Sequence, residues 1–407
     1  MKKTVNYTHT MIAGCGAYLA QAIVNNFAPL LFVWFFAQYD LSLDRIAWLI
    51  TFNFAVQIGA DFLSAWVVDR IGFRRGTVIA HAFAAVGTVS LGILPGLFTD
   101  PYHGLLLSVF LSAVGSGGIE VIVSPMIDAC PGDRKAASMA ILHSFYAWGF
   151  LCVTLLSTLF FATAGIDRWP ILAALWGGLI ACNGILFFFV PVAELPPRAG
   201  ESTTASIGHL LKKPLFYILF FLMIAAGASE MAVSQWASAF LEMTVGMEKS
   251  IGDLVGPCLF ALFMGLSRVS YGLGRGRLSL SRLMVISSLL AFLSYLIIGI
   301  SALPVLLLFG FALAGFSVGM LWPGTYSLAG EHIPTGGTPM FSLLALGGDV
   351  GCTAGPALAG MVAGLHGGDL RRGTLAALVF PVMLVVGNLV LRGYRRKQET
   401  CEKGENT

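Results

Sequence analysis

Residues 63–86 read LSAWVVDRIGFRRGTVIAHAFAAV, a short charged turn between two long apolar runs. The runs extend outward to residues 43 and 97, so each has the roughly 20 residues that an α-helix needs to cross a membrane. Neither run alternates apolar and polar residues as a membrane β-strand would. The stretch therefore predicts a helical hairpin that crosses a membrane twice and leaves its charged turn in water.

The composition of the whole chain is that of an integral membrane protein. Of its 407 residues, 57% are hydrophobic and 11% are charged, whereas soluble proteins average about 25% charged residues. The 48 glycines suit closely packed membrane helices. This composition excludes most soluble enzymes, disordered chains and nucleic-acid-binding chains.

Twelve apolar runs of this kind can be laid out along the chain. They cover residues 9–37, 43–68, 76–97, 104–128, 137–163, 169–191, 214–240, 252–274, 282–300, 303–329, 338–365 and 373–394. We predict an all-α integral membrane fold with twelve transmembrane helices in two pseudo-symmetric six-helix bundles. The predicted parts are an N-terminal bundle (1–191), a cytoplasmic linker (192–213), a C-terminal bundle (214–394) and a cytoplasmic tail (395–407).

The basic residues predict the orientation. With the N-terminus in the cytoplasm, most of the 24 Lys and Arg residues fall in cytoplasmic loops and tails, as the positive-inside rule requires. Both termini of this multi-pass protein would then lie on the cytoplasmic side of the cell membrane. The turn at 69–75 is echoed at 272–277, and such duplication is typical of two-domain secondary transporters.

No catalytic or cofactor chemistry is predicted. The seven cysteines and seven histidines are scattered, without the spacing of metal ligands. The phosphate-binding pattern G-x-x-x-x-G-K-[ST] is absent from the sequence, which disfavours ATP-driven transport. We therefore expect no enzyme, no metal, no cofactor and no nucleic-acid partner.

Five charged residues lie deep inside the apolar runs: Asp61, Glu120, Glu230, Arg268 and Asp349. A charge at the bilayer centre costs about 2.5–3.5 kcal/mol on insertion scales, so these side chains must face protein or water. The carboxylates outnumber the one arginine, which indicates that some carboxylate is protonated or hydrated. We predict that the four carboxylates are candidates for proton coupling and that Arg268 neutralises Glu230 or Asp349.

Polar residues recur every four positions and so form stripes along the helices, as Asn53, Gln57 and Asp61 do in the second run. The predicted substrate-binding residues are Gln21, Asn25, Asn26, Asn53, Gln57, Glu120, His143, Tyr146, Glu230, Gln235, Trp236, Arg268, Trp322, Tyr326 and Asp349. Hydrogen bonding between helices, without any role in binding, is the alternative for the amides and serines. Packing in the core is the alternative for the tryptophans and for His143.

The third, sixth, ninth and twelfth runs carry almost no polar side chains. This period of three predicts eight helices around a polar interior and four helices outside it.

Residues 65–75, AWVVDRIGFRR, resemble the loop signature of the major facilitator superfamily, G-x-x-x-D-R-x-G-x-R-R, with Ala65 in place of the first glycine. The signature follows the second run, as it does in that family. The resemblance implies a cytoplasmic gate formed by Asp69, Arg70, Gly72, Arg74 and Arg75. It implies that these residues serve conformational switching rather than solute binding.

A finer resemblance is to the fucose-galactose-glucose proton symporter branch of that family. It rests on residues 118–121 (GIEV), 143–146 (HSFY), 227–230 (GASE) and Trp322-Pro323. The resemblance implies that Glu120 takes part in proton coupling and sugar contact. Where that branch has an Asn-Asp pair in its first helix, this chain has Asn25-Asn26.

We therefore predict a monomeric secondary active transporter, a proton symporter that moves a small polar solute by alternating access. A sugar is the leading candidate for the solute. The alternatives are an exporter of drugs or metabolites, which would need a mostly apolar cavity, and a membrane solute sensor that does not transport.

Overall fold

The computed structural model of the chain describes residues 7–41, 43–193, 203–247, 249–273, 279–367 and 369–405. Residues 194–202 of the predicted linker, residues 274–278 and the last two residues of the predicted tail lie outside the described residues. Within the described ranges, all regular secondary structure is helical.

The α-helices follow one another along the chain with short connections. In order they are α1 (Thr8–Phe27), α2 (Phe32–Tyr39), α3 (Leu43–Leu91), α4 (Pro101–Ala129), α5 (Lys135–Ala164), α6 (Trp169–Leu186), α7 (Thr203–Leu210), α8 (Pro214–Ser234), α9 (Ala237–Val245), α10 (Lys249–Leu273), α11 (Leu280–Ile300), α12 (Pro304–Val318), α13 (Leu321–His332), α14 (Gly337–Leu365), α15 (Leu370–Ala376) and α16 (Val379–Glu405).

Nine spans within the described residues are long and apolar enough to cross a membrane, and they correspond to the fourth to twelfth predicted crossings. The first crossing consists of α1 and α2, joined by a 3-10 turn at Ala28–Leu31. The second and third crossings are the two arms of α3. The predicted all-α fold of twelve transmembrane helices is confirmed.

The two arms of α3 meet at Gly72, whose φ of 80° and ψ of 160° interrupt the helix. Residues with a side chain rarely adopt this backbone conformation, because the Cβ atom would collide with neighbouring backbone atoms. Gly72 is therefore the residue of the charged turn that allows the second and third crossings to form a hairpin.

Replacing Gly72 with Ala should lower the stability of the protein by about 1–3 kcal/mol, because alanine is strained at this positive φ. The thermal unfolding midpoint in detergent would report the loss. Gly59→Ala in the same helix is the matched control, since a Cβ atom there meets nothing within 4 Å. Equal midpoints for the two variants would contradict the role given to Gly72.

The chain divides into two compact units. The first unit contains Met1–Thr203 and Thr335–Leu346, and the second contains Thr204–Pro334 and Gly347–Thr407. The start of α14 thus groups with the first unit, whereas the sequence places all of residues 214–394 in the C-terminal bundle. At the other end, α16 continues through most of the predicted tail to Glu405.

The third, sixth, ninth and twelfth crossings present apolar side chains to their surroundings at helical spacing. In α6, Ile171, Leu175 and Leu179 are exposed by 46–60%. In α16, Val382, Val386 and Val390 recur in the same way and are exposed by 41–54%. Such stripes are expected on helices that border lipid.

The few polar residues of these four crossings bond to each other in pairs. His81 Nε2 lies 3.0 Å from Asn183 Nδ2, which joins the third crossing to the sixth. Asn388 Nδ2 donates to Ser288 Oγ at 3.0 Å, which joins the twelfth crossing to the ninth. In each unit a polar side-chain contact therefore joins the two outer crossings.

Asp100 marks the start of α4. Its side chain accepts a hydrogen bond from the backbone N–H of Tyr102 at 3.0 Å, as an N-cap residue does. Arg45 Nη1 lies 3.0 Å from the other carboxylate oxygen. The Tyr102 N–H, with a smaller contribution from Arg45, holds the pKa of Asp100 below its usual range.

Candidate functional site

The first unit contains a cluster of buried and half-buried polar side chains from α1, α3, α4 and α5. We call it the amide cluster, and it consists of Tyr18, Gln21, Asn25, Gln57, Ser116, Glu120, Ser124 and His143. Most of these residues were predicted from the stripes, and the structure brings those stripes together on facing helices.

Glu120 is held by a glutamine from another helix. Gln21 Nε2 donates to Glu120 Oε2 at 2.5 Å, and the two residues are 3% and 5% exposed. A neutral amide donor can bond a carboxylate without cancelling its charge. This contact joins α1 to α4 inside the first unit.

Asn25, Gln57 and Ser116 form a second set of contacts beside this pair. Gln57 Nε2 donates to Asn25 Oδ1 at 3.2 Å, and the Ser116 hydroxyl donates to Gln57 Oε1 at 3.2 Å. Ser116 also lies 3.4 Å from Asn25 Oδ1. These contacts link α1, α3 and α4 through groups that can both donate and accept hydrogen bonds.

A third set of contacts includes a residue that the sequence analysis missed. The Tyr18 hydroxyl lies 2.6 Å from Ser124 Oγ and 3.0 Å from His143 Nε2. Ser124 Oγ is 3.3 Å from the same ring nitrogen. Tyr18 lies three residues before Gln21 on the same face of α1, and that spacing was the available signal.

The other predicted residues of the first unit differ in burial and in their contacts. Asn26 Nδ2 donates to the Ala22 carbonyl of its own helix at 2.9 Å. Asn53 and Tyr146 are half-buried. Asp61 is fully buried, its backbone carbonyl accepts a hydrogen bond from the Ser342 hydroxyl, and its carboxylate lies beside Gly117.

The second unit contains a buried ion pair. Arg268 Nη2 lies 3.4 Å from Glu230 Oε2, and the two side chains are 2% and 8% exposed. Arg268 Nε also donates to the Gly319 carbonyl at 2.7 Å. Of the two partners that the sequence offered for Arg268, the structure thus places Glu230 in contact with it.

Two tryptophans of the second unit pack against backbone. A Cβ atom on Gly348 would lie 2.1 Å from the ring of Trp322, so the absence of a side chain there lets the indole lie against α14. Trp236 Nε1 donates to the Pro356 carbonyl at 3.1 Å. Both contacts fit the packing alternative.

The remaining predicted residues of the second unit differ in burial. Tyr326 and Asp349 are buried, whereas Gln235 is exposed just after the end of α8.

Within the gate predicted by resemblance, Arg74 has a specific partner. Its Nη1 atom donates to the Phe187 and Phe188 carbonyls at 2.7 and 2.8 Å. These carbonyls follow the C-terminus of α6, where a cation stabilises unpaired backbone acceptors. Asp69, Arg70 and Arg75 are exposed. These hydrogen bonds of Arg74 therefore connect the charged turn to the C-terminal end of the sixth crossing.

Metal chemistry has no candidate ligand set in the described part of the chain, where no three His, Cys, Asp or Glu residues are grouped suitably. The polar side chains instead offer hydrogen bonds, together with carboxylates that can exchange a proton. This arrangement can bind a polar solute and hold a proton.

Solved structures share this fold. The Escherichia coli fucose:proton symporter FucP has a TM-score of 0.78 at 12% identity, covering 95% of this chain and 99% of that chain. The proton:xylose symporter XylE, bound to 6-bromo-6-deoxy-D-glucose, has a TM-score of 0.77 at 13% identity, covering 95% of each chain. At such identities the likeness concerns the fold alone.

Sequence relatives match over shorter segments. A Bacillus subtilis (strain 168) protein named as a niacin/nicotinamide transporter, NiaP, is 24% identical over 139 residues, 34% of each chain. The chain spans half or less of the length of the curated relatives it matches. The family model of the Major Facilitator Superfamily matches residues 10–280. That match covers more than half of the chain and agrees with the observed fold, so the chain belongs to the major facilitator superfamily of membrane transporters.

Proposed function

We propose that this transporter is a proton symporter for a small neutral polar solute, a sugar being the leading candidate. The observation that carries the proposal is the buried contact between Gln21 and Glu120 within a cluster of amides and hydroxyls. Such groups can donate and accept hydrogen bonds, as a polyhydroxylated solute requires. FucP and XylE, which share the fold, are named as proton symporters of fucose and xylose.

Glu120 is the proposed coupling residue. It has a neutral partner in Gln21, whereas Glu230 has the guanidinium of Arg268 at 3.4 Å. A fixed cation opposes protonation of a neighbouring carboxylate, whereas a neutral amide does not. Asp61 and Asp349 are the other candidates from the sequence, and both are buried.

The proposed cycle uses alternating access by a monomer in the cell membrane, with both termini in the cytoplasm. The basic turn then lies on the cytoplasmic side, where the positive-inside rule places it. Arg74 supports a gating role for this turn, because its contact with the end of α6 joins the turn to another crossing.

Uptake into proteoliposomes tests the proposal. Radiolabelled fucose, galactose, glucose and xylose would be offered with and without an inward proton gradient. We expect one sugar to accumulate above its external concentration only when the gradient is imposed. Accumulation without a gradient would contradict coupling, and the absence of flux for every solute would favour the sensor alternative.

Nicotinate and nicotinamide belong in the same panel because of the name carried by the Bacillus subtilis relative. Gradient-driven uptake of either compound, without uptake of a sugar, would identify the solute as a pyridine compound instead of a sugar. It would leave the proton coupling in place.

Asp69→Asn should slow transport while leaving solute affinity nearly unchanged, because Asp69 is exposed in the charged turn. Gln57, the nearest residue of the amide cluster along the chain, lies 12 residues earlier in α3, about 18 Å along a helix. We expect the maximal uptake rate to fall at least about tenfold, which corresponds to 1.4 kcal/mol in the barrier. Uptake rates over a range of solute concentrations, with binding measured by calorimetry, would separate the two effects. Equal losses of affinity and rate would count against a gating role.

A further inference from the structure

The tenth crossing is broken in its middle. The span Pro304–His332 is continuous in sequence and apolar, but it contains two helices, with α12 ending at Val318 and α13 beginning at Leu321. In an uninterrupted helix the Gly319 carbonyl would accept a hydrogen bond from the backbone N–H four residues later. That residue is Pro323, which has no N–H, so the helix cannot supply this bond.

Arg268 of α10 provides the missing donor. Its Nε atom donates to the Gly319 carbonyl at 2.7 Å, and the residue is 2% exposed. Gly319 permits this approach, because a Cβ atom there would lie 2.8 Å from the Met264 carbonyl oxygen. A buried carbonyl without a partner is costly, so the charged donor stabilises the break.

The same guanidinium also contacts a carboxylate. Arg268 Nη2 lies 3.4 Å from Glu230 Oε2, in α8. One arginine therefore joins a titratable group in the seventh crossing to the interruption of the tenth crossing. The other titratable groups buried in the second unit include Asp349 and Cys352 of α14, Tyr326 of α13 and Tyr295 of α11.

We propose that Arg268 is a positioning residue that couples the charge of Glu230 to the stability of the break at Gly319. When Glu230 is ionised, the guanidinium has a counter-ion on one side and the Gly319 carbonyl on the other. When a proton neutralises the carboxylate, the buried cation loses that counter-ion and moves toward water or another acceptor. The Gly319 carbonyl then loses its donor and the break loosens.

From the proposed function the inference takes only the coupling to protons, and it requires in addition that Glu230 takes up a proton. It concerns the second unit alone, and it gives Arg268 a role at the break near Gly319 instead of in solute binding. Its test therefore needs no solute and no flux, and it can fail while the symport proposal stands.

Amide hydrogen exchange in detergent at one fixed pH tests the inference, because it measures local opening of the backbone. Glu230→Gln removes the charge while keeping the shape. We expect amide exchange in residues 317–322 to become at least about tenfold faster. Loss of a hydrogen bond to a charged group has an effect of this size. Residues 286–298 of α11 serve as the internal reference and should be unchanged.

Pro323→Ala should reverse this effect, because an alanine N–H can bond to the Gly319 carbonyl without help from Arg268. We expect the exchange rate of the double variant E230Q/P323A to return to within about twofold of the wild-type rate. This ratio corresponds to a free-energy difference of less than RT. Pro257→Ala is the matched control, since it also removes a proline from a helix of the same unit. Wild-type exchange in Glu230→Gln, or equal rescue by Pro257→Ala, would overturn the inference.

Arg268→Lys covers the case in which Glu230→Gln does not fold. Lysine keeps the charge but has a single ammonium group, which cannot reproduce the two separate contacts of the guanidinium. We expect Pro323→Ala to recover at least half of the fall in the thermal midpoint that Arg268→Lys causes, and Pro257→Ala to recover none. A purely structural ion pair would show no such selective rescue, and that result would overturn the inference.

Discussion

Glu120→Gln should abolish uphill uptake while leaving exchange of solute between two loaded compartments intact. Glutamine imitates the protonated carboxyl and cannot release a proton, so the variant can carry solute in both directions but cannot use a gradient. With one proton per solute, a gradient of one pH unit supports about tenfold accumulation in the wild type. We expect the variant to reach an internal concentration no higher than the external one.

Two measurements on the same proteoliposomes decide this prediction. Counterflow reports exchange, and uptake under an imposed pH gradient reports coupling. Glu331→Gln is the matched control, because it makes the same chemical change at a carboxylate that is 56% exposed. Gradient-driven accumulation at the wild-type level in Glu120→Gln would refute the assignment and move attention to Glu230.

The interpretation of Glu120 depends on its partner, which the sequence could not provide. The spacing of Ser116, Glu120 and Ser124 placed a polar stripe on one face of α4, and the structure shows that face turned toward α1. Only the folded chain shows that Gln21 contacts the carboxylate. A cation at that position would have favoured a permanent charge instead.

Most of the fold could be predicted because the membrane imposes simple constraints. Helices must be about 20 apolar residues long, and buried charges must face protein. The tight turn at Gly72 lies within the charged signature. The break in the tenth crossing could also have been found, since Gly319 and Pro323 are four residues apart. The sequence could not show that Arg268, which lies in another helix, contacts the Gly319 carbonyl.

The sequence could not show the contacts of residues whose partners are distant or belong to the backbone. The side chain of Tyr18 is largely apolar, so the sequence analysis counted it with the apolar residues of α1. Its hydroxyl nevertheless contacts side chains of two other helices. Arg74 appeared as one charge among several, yet it binds two carbonyls more than a hundred residues away. Gln235 was predicted to bind the solute, but α8 ends one residue earlier and leaves Gln235 exposed.

The ion pair of the second unit should make Arg268→Ala one of the most destabilising substitutions in the chain. It would leave the Glu230 carboxylate buried without the cation 3.4 Å away, and it would remove the donor of the Gly319 carbonyl. Breaking a buried pair on one side costs about 3–5 kcal/mol. We expect a large fall in the thermal unfolding midpoint in detergent, or a loss of folded protein on purification.

Arg372→Ala provides the comparison for Arg268→Ala. Arg372 Nε also lies 3.4 Å from a carboxylate, that of Asp369, but the two side chains are 60% and 42% exposed. Water screens such a pair, so its loss should cost no more than about 1 kcal/mol. The pairs match in distance and differ in burial, so the difference between the two midpoints measures the effect of burial together with the loss of the donor to the Gly319 carbonyl. If both variants unfolded at nearly the wild-type temperature, the prediction that Arg268 stabilises the second unit would be wrong.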